Sequence, residues 1–395
     1  MKKYLFFILL CFGIVGCRTR EEKFDDAFKK SVEWLWSQQD EDGGWHSKTH
    51  HVLADGKVLT PYILYYLMQV PASVYIADAN DIHRGMQFIL DSMNTTFNDS
   101  THTFNYPNYA AAYALRIALY EKDPPFYNLQ NNIREYLLKQ QFTQQRNVPR
   151  ESMAYGGWGY GEPDLHTGDF GHVDISHTRR IAEALIEYAF DRNRSTGNQF
   201  DTIHVIQNEN WIDDAMTFLR SVQRSPQDKR LYEGCTDRTN IPYDGGFVSS
   251  MYTLSTNKCQ PYNVNDCYHY PSYATATCDG LLALHALGLD SSKEFQDAKR
   301  WLVMNQKIDG IDGLSKEDPE QWYQIMHYYH WSVRAEAMRV AGIQGSWEKN
   351  MIRDLIKEQQ PEGFYINSLG GVNKEDDPLM ATIFCIQAFT NLQNI

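Results

Sequence analysis

The sequence predicts an all-α protein whose helices pair into six hairpins and close as an (α/α)6 toroid, six outer helices around six inner ones. Three observations predict it. A helix, a glutamine and a glycine-rich, mostly aromatic turn recur along the chain at 27–45, 132–160, 214–247, 297–314 and 351–365. Each copy is followed by a second, more apolar helical segment. Strand signals are sparse, the best being 247–254. Self-similarity of this kind marks a repeat architecture, in which one hairpin cannot bury its apolar face alone and must stack on its neighbours.

The outer segments come first in each pair. AFKKSVEWLW (27–36), NIREYLLKQQ (132–141), DAMTFLRSVQ (214–223), DAKRWLVMNQ (297–306) and MIRDLIKEQQ (351–360) place apolar residues at i, i+3, i+4 and i+7 with charges between them. That pattern gives a helix one wet face. A sixth copy, 85–94, keeps the helix but lacks the glutamine and the Gly-Gly turn. The inner segments, 60–70, 108–120, 175–190, 272–289, 329–342 and 378–389, are rich in small residues and apolar around most of their girth, as helices covered on both sides must be. Thr60, Ser176, Ser272 and Asp377 precede or open them as caps, Pro61 and Pro378 sit at helix starts, and Gly288 and Gly342 at C-termini. An open solenoid is the alternative. The inner segments start at uneven intervals, which suits a ring carrying loop insertions, near 143–174 and 225–271.

The chain has 395 residues, 43% of them hydrophobic, which is ample for a large core and excludes a disordered chain. A net charge of −13 without a basic cluster beyond the first residues argues against nucleic acid as a partner. Residues 1–16 read as a signal peptide, with Lys2 and Lys3 before an apolar run from Tyr4 to Val15 that is too short to span a bilayer. Ile14-Val15-Gly16-Cys17 resembles the bacterial lipobox, which makes Cys17 the lipidation site and 17–26 a charged tether to a domain at 27–395. The expected address is the cell envelope, anchored through the lipid to the outer membrane, on its periplasmic or surface side. Arg18 stands where an inner-membrane retention signal has Asp. Of the remaining cysteines, Cys278 and Cys385 fall in helical patterns as buried thiols, while Cys235, Cys259 and Cys267 share one insertion. A Cys259–Cys267 or a Cys235–Cys259 disulfide is expected there. No metal ligand set and no cofactor are expected.

The glutamine and Asp-Gly-Gly-Trp format resembles the repeats of the squalene cyclase and protein prenyltransferase β-subunit superfamily, over roughly 27–392. DISHTRRIAEAL (174–185), SYATATCDGLLAL (272–284) and YYHWSVRAEAMRVAG (328–342) look particularly similar to repeat proteins of that kind in bacteria. The resemblance implies a toroid with a central cavity at one end, and for the cyclases an Asp-x-Asp-Asp-Thr proton donor at an inner-helix start. Here that stretch is Asp174-Ile175-Ser176-His177-Thr178, and a serine hydroxyl cannot protonate an alkene. The prenyltransferase zinc pattern is echoed by Asp266-Cys267 and His330, but out of register. Rings of this shape also carry glycan hydrolases and lyases, which need two carboxylates or a base with charge neutralisation; Asp169, Asp174, Asp244 and Glu336 are the candidates, with His172, His177, His327, His330 and Arg334 as partners. The favoured reading is a ligand- or partner-binding lipoprotein, holding a small molecule, lipid or glycan in an aromatic cavity. Tyr155, Trp158, Asp174, His177, Asp244, His327 and His330 are the expected cavity residues.

Overall fold

The computed structural model describes residues 19–393 apart from 99–104, 162–170, 196–208, 233–234, 238–240, 266 and 308–309. Twelve helices of nine residues or more are described, and they alternate between two layers. The outer layer is α1 (Arg20–Trp36), α3 (Ala79–Asn98), α5 (Pro124–Lys139), α7 (Trp211–Gln223), α9 (Lys293–Met304) and α11 (Ser346–Glu358). The inner layer is α2 (Leu59–Leu67), α4 (Pro107–Ala118), α6 (Ile175–Ser195), α8 (Ala274–Ala286), α10 (His327–Val340) and α12 (Pro378–Leu392). Each inner helix packs on the next, and α12 packs back on α2, so the ring is closed. At that seam the Tyr62 and Phe384 rings meet edge to face with centroids 6.0 Å apart, and Tyr62 Oη donates to Gln387 Oε1 at 3.3 Å. Every residue of α2 is buried, as is every residue of α12 from Ala381 to Leu392, which is why these segments carry no polar stripe.

The recurring glutamine has a mechanical role. Gln39 Nε2 donates to Gly43 O of its own turn and to Asp81 O at the start of the next outer helix, both at 2.9 Å. Gln141 does the same with Gly156 O at 2.9 Å and Trp211 O at 3.0 Å, and Gln223 with Gly245 O at 3.0 Å and Glu294 O at 2.8 Å. Gln359 reaches across the seam to Ala27 O of α1 at 2.6 Å. One amide thus ties each of these four turns to the neighbouring outer helix and gives the turn's glycine carbonyl a donor; Gln306 instead donates to Val303 O of its own helix at 3.1 Å. The aromatic residue after the glycines is fixed by a threonine of the inner helix: the backbone N–H of Trp45, Trp158, Phe247 and Tyr365 donates to Oγ1 of Thr60, Thr178, Thr277 and Thr382 at 3.0–3.1 Å. Gly156 must be glycine twice over. Its φ is +89°, and a Cβ there would overlap the Asp214 carbonyl of α7.

Three expectations are corrected. The 20–26 stretch is no tether but the first turns of α1, because Thr19 caps the helix by accepting from Glu22 N at 3.1 Å and Phe24 is buried against Phe389. Cys17 lies outside the described residues. The 247–254 stretch forms no strand, since its first amides are engaged elsewhere, Phe247 N by Thr277 and Val248 N by Val222 O. The strands that are described, Tyr262–Val264 and Cys267–His269, form a short antiparallel hairpin. The disulfide joins Cys235 to Cys267, whose Cα atoms lie 4.6 Å apart, while Cys259 is a buried free thiol donating to Pro271 O at 3.3 Å. The hairpin register decides this: Cys267 pairs with Val264 and faces inward, leaving Cys259 before the hairpin begins.

Replacing Gln141 by Leu leaves the buried Gly156 carbonyl without its donor and unties the turn from α7, and should cost roughly 1–3 kcal/mol. Urea denaturation checks this; the same change at half-buried Gln38, whose amide donates only to the adjacent Ser37 Oγ, should cost under about 0.5 kcal/mol.

Candidate functional site

All six inner helices begin at the same end of the ring, and their first two turns line one cavity of about 410 Å³. Tyr62 of α2, Tyr109 of α4, Tyr329 of α10 and Phe384 of α12 contribute its aromatic walls. Loops complete it with Tyr160, His172, Lys258, Trp322 and Lys374. Lys258 Nζ sits 3.8 Å from the centroid of the Trp322 ring and Lys374 Nζ 4.9 Å from that of Tyr106. Burial lowers the Lys258 ammonium below its ordinary range, with Asp174 and Glu320 acting against that.

The floor is a buried ionic network centred on α6. Arg179 Nε donates to Glu183 Oε1 at 2.6 Å, its Nη1 to Asp279 Oδ1 of α8 at 3.0 Å, and its Nη2 to Glu336 Oε2 of α10. Arg116 of α4 donates to Glu183 Oε2 at 2.8 Å and to Glu187 Oε2 at 3.0 Å. Gln387 of α12 donates to Glu336 Oε2 at 2.8 Å, and Tyr65 of α2 donates to Glu187 Oε1 at 3.3 Å. All six inner helices therefore meet in one network. Desolvation opposes the Glu183 anion, yet Arg179, Arg116 and Arg180 outweigh it and hold the carboxyl at about 2.

Asp174 forms the most concentrated polar cluster on the wall. It precedes α6, and its Oδ1 accepts from His177 N at 3.0 Å and from Ser176 Oγ at 2.8 Å. This is the pattern of a helix N-cap. Its Oδ2 faces two imidazoles, His177 Nδ1 at 2.8 Å and His172 Nε2. The His172 ring stacks on Tyr160 with centroids 4.0 Å apart, while Tyr109 and Tyr160 stand T-shaped to His177 at 4.9 Å. Burial would raise the Asp174 carboxyl, but the charge of His177 and the contacts from both histidines hold it well below the ordinary carboxylate range. The ligand atoms of His172, Asp174 and His177 lie within 4.8 Å of one another, so these are the residues that could hold a metal ion.

Of the seven cavity residues expected from sequence, Asp174 and His177 line it. The other five do not. Tyr155 is buried in its turn and accepts from Arg150 Nε at 3.2 Å; Trp158 fills the space between α5 and α7, its indole donating to Leu137 O at 2.7 Å. Both are repeat aromatics, which wedge between the layers and so cannot face the axis. Asp244 braces the next turn, accepting from Ser272 Oγ at 2.7 Å and Gly246 N at 3.0 Å. His327 faces outward to Glu358 Oε2 of α11 at 2.9 Å and packs tilted against Trp331, with ring centroids 4.2 Å apart. His330 lies one layer behind the wall, against Thr275 Oγ1 at 3.1 Å, and burial beside Arg334 pushes its imidazole well below the ordinary range. Asp169 and His166 lie outside the described residues. Sequence reasoning missed Tyr109, Lys258, Asp279 and Lys374; their position in the first turns of inner helices, or in loops just before them, was the available signal for all but Lys258.

No family model and no curated protein sequence matches the chain. Solved structures do. The type II terpene cyclase MstE from Scytonema superposes with a TM-score of 0.53 at 11% identity, over 93% of this chain and 98% of that one. The unsaturated glucuronyl hydrolase from Bacillus sp. GL1 gives 0.53 at 11% identity, over 94% and 96%. The alpha-1,6-mannanase GH76A of Salegentibacter gives 0.50 at 8% identity, over 93% and 99%. These likenesses establish the (α/α)6 toroid, the fold of the terpenoid cyclases and of glycan-degrading rings, and they leave the chemistry to the site.

Because the folded Glu183 carboxyl titrates at about 2 against an ordinary 4.5, its contribution to stability is complete above pH 4.5 and is lost as pH falls from 4.5 towards 2. Glu183→Gln should cost about 3 kcal/mol or more at pH 7, by stranding buried arginines. Urea midpoints measured across that window should fall less steeply in the variant than in the parent chain.

Proposed function

We propose that this chain is a lipid-anchored protein of the cell envelope that holds an anionic amphiphile in the ring cavity. One observation carries the reading. Lys258 and Lys374 line the cavity over aromatic faces, neither within ion-pairing distance of a carboxylate among the described residues, in a chain with a net charge of −13. The six inner-helix N-termini add partial positive charge at the same end, which favours an anionic group there. Tyr62, Tyr109, Tyr273 and Phe384 offer an apolar body its wall, and about 410 Å³ lies within the range of small-molecule pockets.

Two enzymatic readings are less well supported by the same residues. Cyclisation needs a carboxylic acid with a proton to give, and Asp174 accepts donors on both oxygens. Glycoside hydrolysis needs two available carboxyl groups. Asp279, the other carboxylate on the wall, is bound by Arg179 at 3.0 Å and by Tyr329 Oη at 2.9 Å. The N-terminal apolar run and Ile14-Val15-Gly16-Cys17 support the anchor and the address.

Calorimetric titration should find dodecanoate and dodecyl phosphate binding at least about tenfold more tightly than dodecanol, a difference of ~1.4 kcal/mol. Lys258→Ala and Lys374→Ala should each erase most of that preference while leaving dodecanol unchanged. Binding of a soluble oligosaccharide with no response to any amphiphile would overturn the reading. For the anchor, Cys17→Ala should move the chain from the membrane fraction to the soluble one on cell fractionation.

A further inference from the structure

We infer that His172, Asp174 and His177 form a zinc site on the cavity wall. The reading is independent of the amphiphile proposal and rests on how three side chains meet. Three donor atoms of the types zinc prefers, two imidazole nitrogens and one carboxylate oxygen, lie within 4.8 Å of one another. A tetrahedral ion with bonds of about 2.0–2.1 Å spaces its ligands by roughly 3.3 Å, so small side-chain rotations complete the geometry.

The local fold explains why these residues can converge. The chain pairs Trp158 with Asp174 in an isolated antiparallel bridge and then enters α6 at Ile175. His172 therefore arrives from the extended side of the bridge, Asp174 sits at the cap, and His177 returns from the first helical turn. An N-cap needs only one carboxylate oxygen, and Oδ1 fills that role with His177 N and Ser176 Oγ. The second oxygen is left for the imidazoles. Donors that hold the non-coordinating oxygen of a carboxylate are the usual outer support of a metal ligand.

The buried imidazole gives a second, separate indication. His177 is 5% exposed, and its Nε2 is buried with no hydrogen-bond partner among the described residues, between two tyrosine rings. A bare lone pair is poorly placed against aromatic rings, whereas an N–H is tolerated there. If the hydrogen is on Nε2, the lone pair on Nδ1 faces the Asp174 carboxylate oxygen, acceptor against acceptor. A positive charge between them resolves the conflict, either the proton that makes the ring an imidazolium or a metal ion, and the two imidazoles meeting on one oxygen favour the metal. Coordination through Nδ1 with the hydrogen on Nε2 is an ordinary mode for histidine. Three protein ligands leave a fourth position, which opens on the cavity that all three residues line. Water or an anionic group of a ligand can take it.

The test uses the full chain, equilibrated with zinc chloride, desalted and analysed for metal. About one zinc per chain is expected. His172→Ala and His177→Ala should each retain less than a tenth of that while keeping the helical signal and a cooperative melt, and His285→Ala, on the far side of an inner helix, should retain it all. X-ray absorption of the loaded chain should show a first shell of nitrogen and oxygen without sulfur, which separates this site from Cys259. Either of two results overturns the inference: folded parent protein that keeps under a tenth of an equivalent, or bound zinc that survives both histidine substitutions.

Discussion

Three arginines and four carboxylates at the centre of the ring set the terms for everything around them. Arg116, Arg179 and Arg180 are nearly or wholly removed from solvent, and Glu183, Glu187, Asp279 and Glu336 surround them. Buried charges of this kind cost several kcal/mol each to desolvate, and they are tolerated only when every partner is in place. The partners come from different helices, so no open or partly assembled array supplies them. Closure of the ring is therefore a condition for satisfying α6. The hydrophobic layers drive association, and the ionic centre fixes the number and order of helices that can associate.

The same network divides the ring axis into two regions with different chemistry. Around it, small buried residues such as Ala111, Ala114 and Ala118 let the inner helices pack closely. Above it, the axis widens into the aromatic cavity, whose floor carries Asp279 already neutralised by Arg179 and Tyr329. A ligand entering from the open end would meet paired charge at the bottom and, at the side, lysines without a carboxylate partner among the described residues. The circumference is held by other means. Glutamine staples and threonine-capped aromatics fix each turn to its neighbours through backbone atoms, which places few demands on the residues that follow in the loops. The loop insertions can then vary in length and carry Lys258, His172 and the Cys235–Cys267 bridge without disturbing the ring.

Much of the architecture was legible because its signals are local. Helix periodicity, the contrast between charged outer and apolar inner segments, and the repeated glutamine all sit within one hairpin. The glutamine was recognisable as a mark of the repeat, although its partners, such as Trp211 O for Gln141, lie far along the chain. The site was less legible. Aromatic residues beside the glycines look like cavity walls in sequence, yet Tyr155 and Trp158 wedge between layers because an extended turn points successive side chains to opposite sides. His330 and His327 sit on the right helix but face a neighbour instead of the axis, because they are turned by about 100° and about 200° from Tyr329, which lines the cavity. The disulfide was misassigned because spacing cannot reveal that a hairpin turns Cys267 away from Cys259.

The start of α6 shows how one structural position can be turned to opposite chemical ends. The cyclase motif that this stretch resembles, Asp-x-Asp-Asp-Thr, crowds carboxyl groups together, and like-charged neighbours with little solvent favour keeping a proton on one of them. In this chain the later acids are Ser176 and His177, and His172 joins from the preceding strand-like segment. Ser176 Oγ donates to Asp174 Oδ1, and both imidazoles present a nitrogen to its Oδ2. The remaining carboxyl is consequently held as an anion, and burial makes that anion attract cations more strongly than it would at the surface. A helix start of this make-up suits the cation site inferred above better than it suits proton donation. The aromatic wall beside it, which could stabilise a carbocation, instead has two lysines lying on its ring faces. Charge of one sign on the walls and of the other at the cap suits the proposed holding role, in which a ligand's own charge would select where it rests.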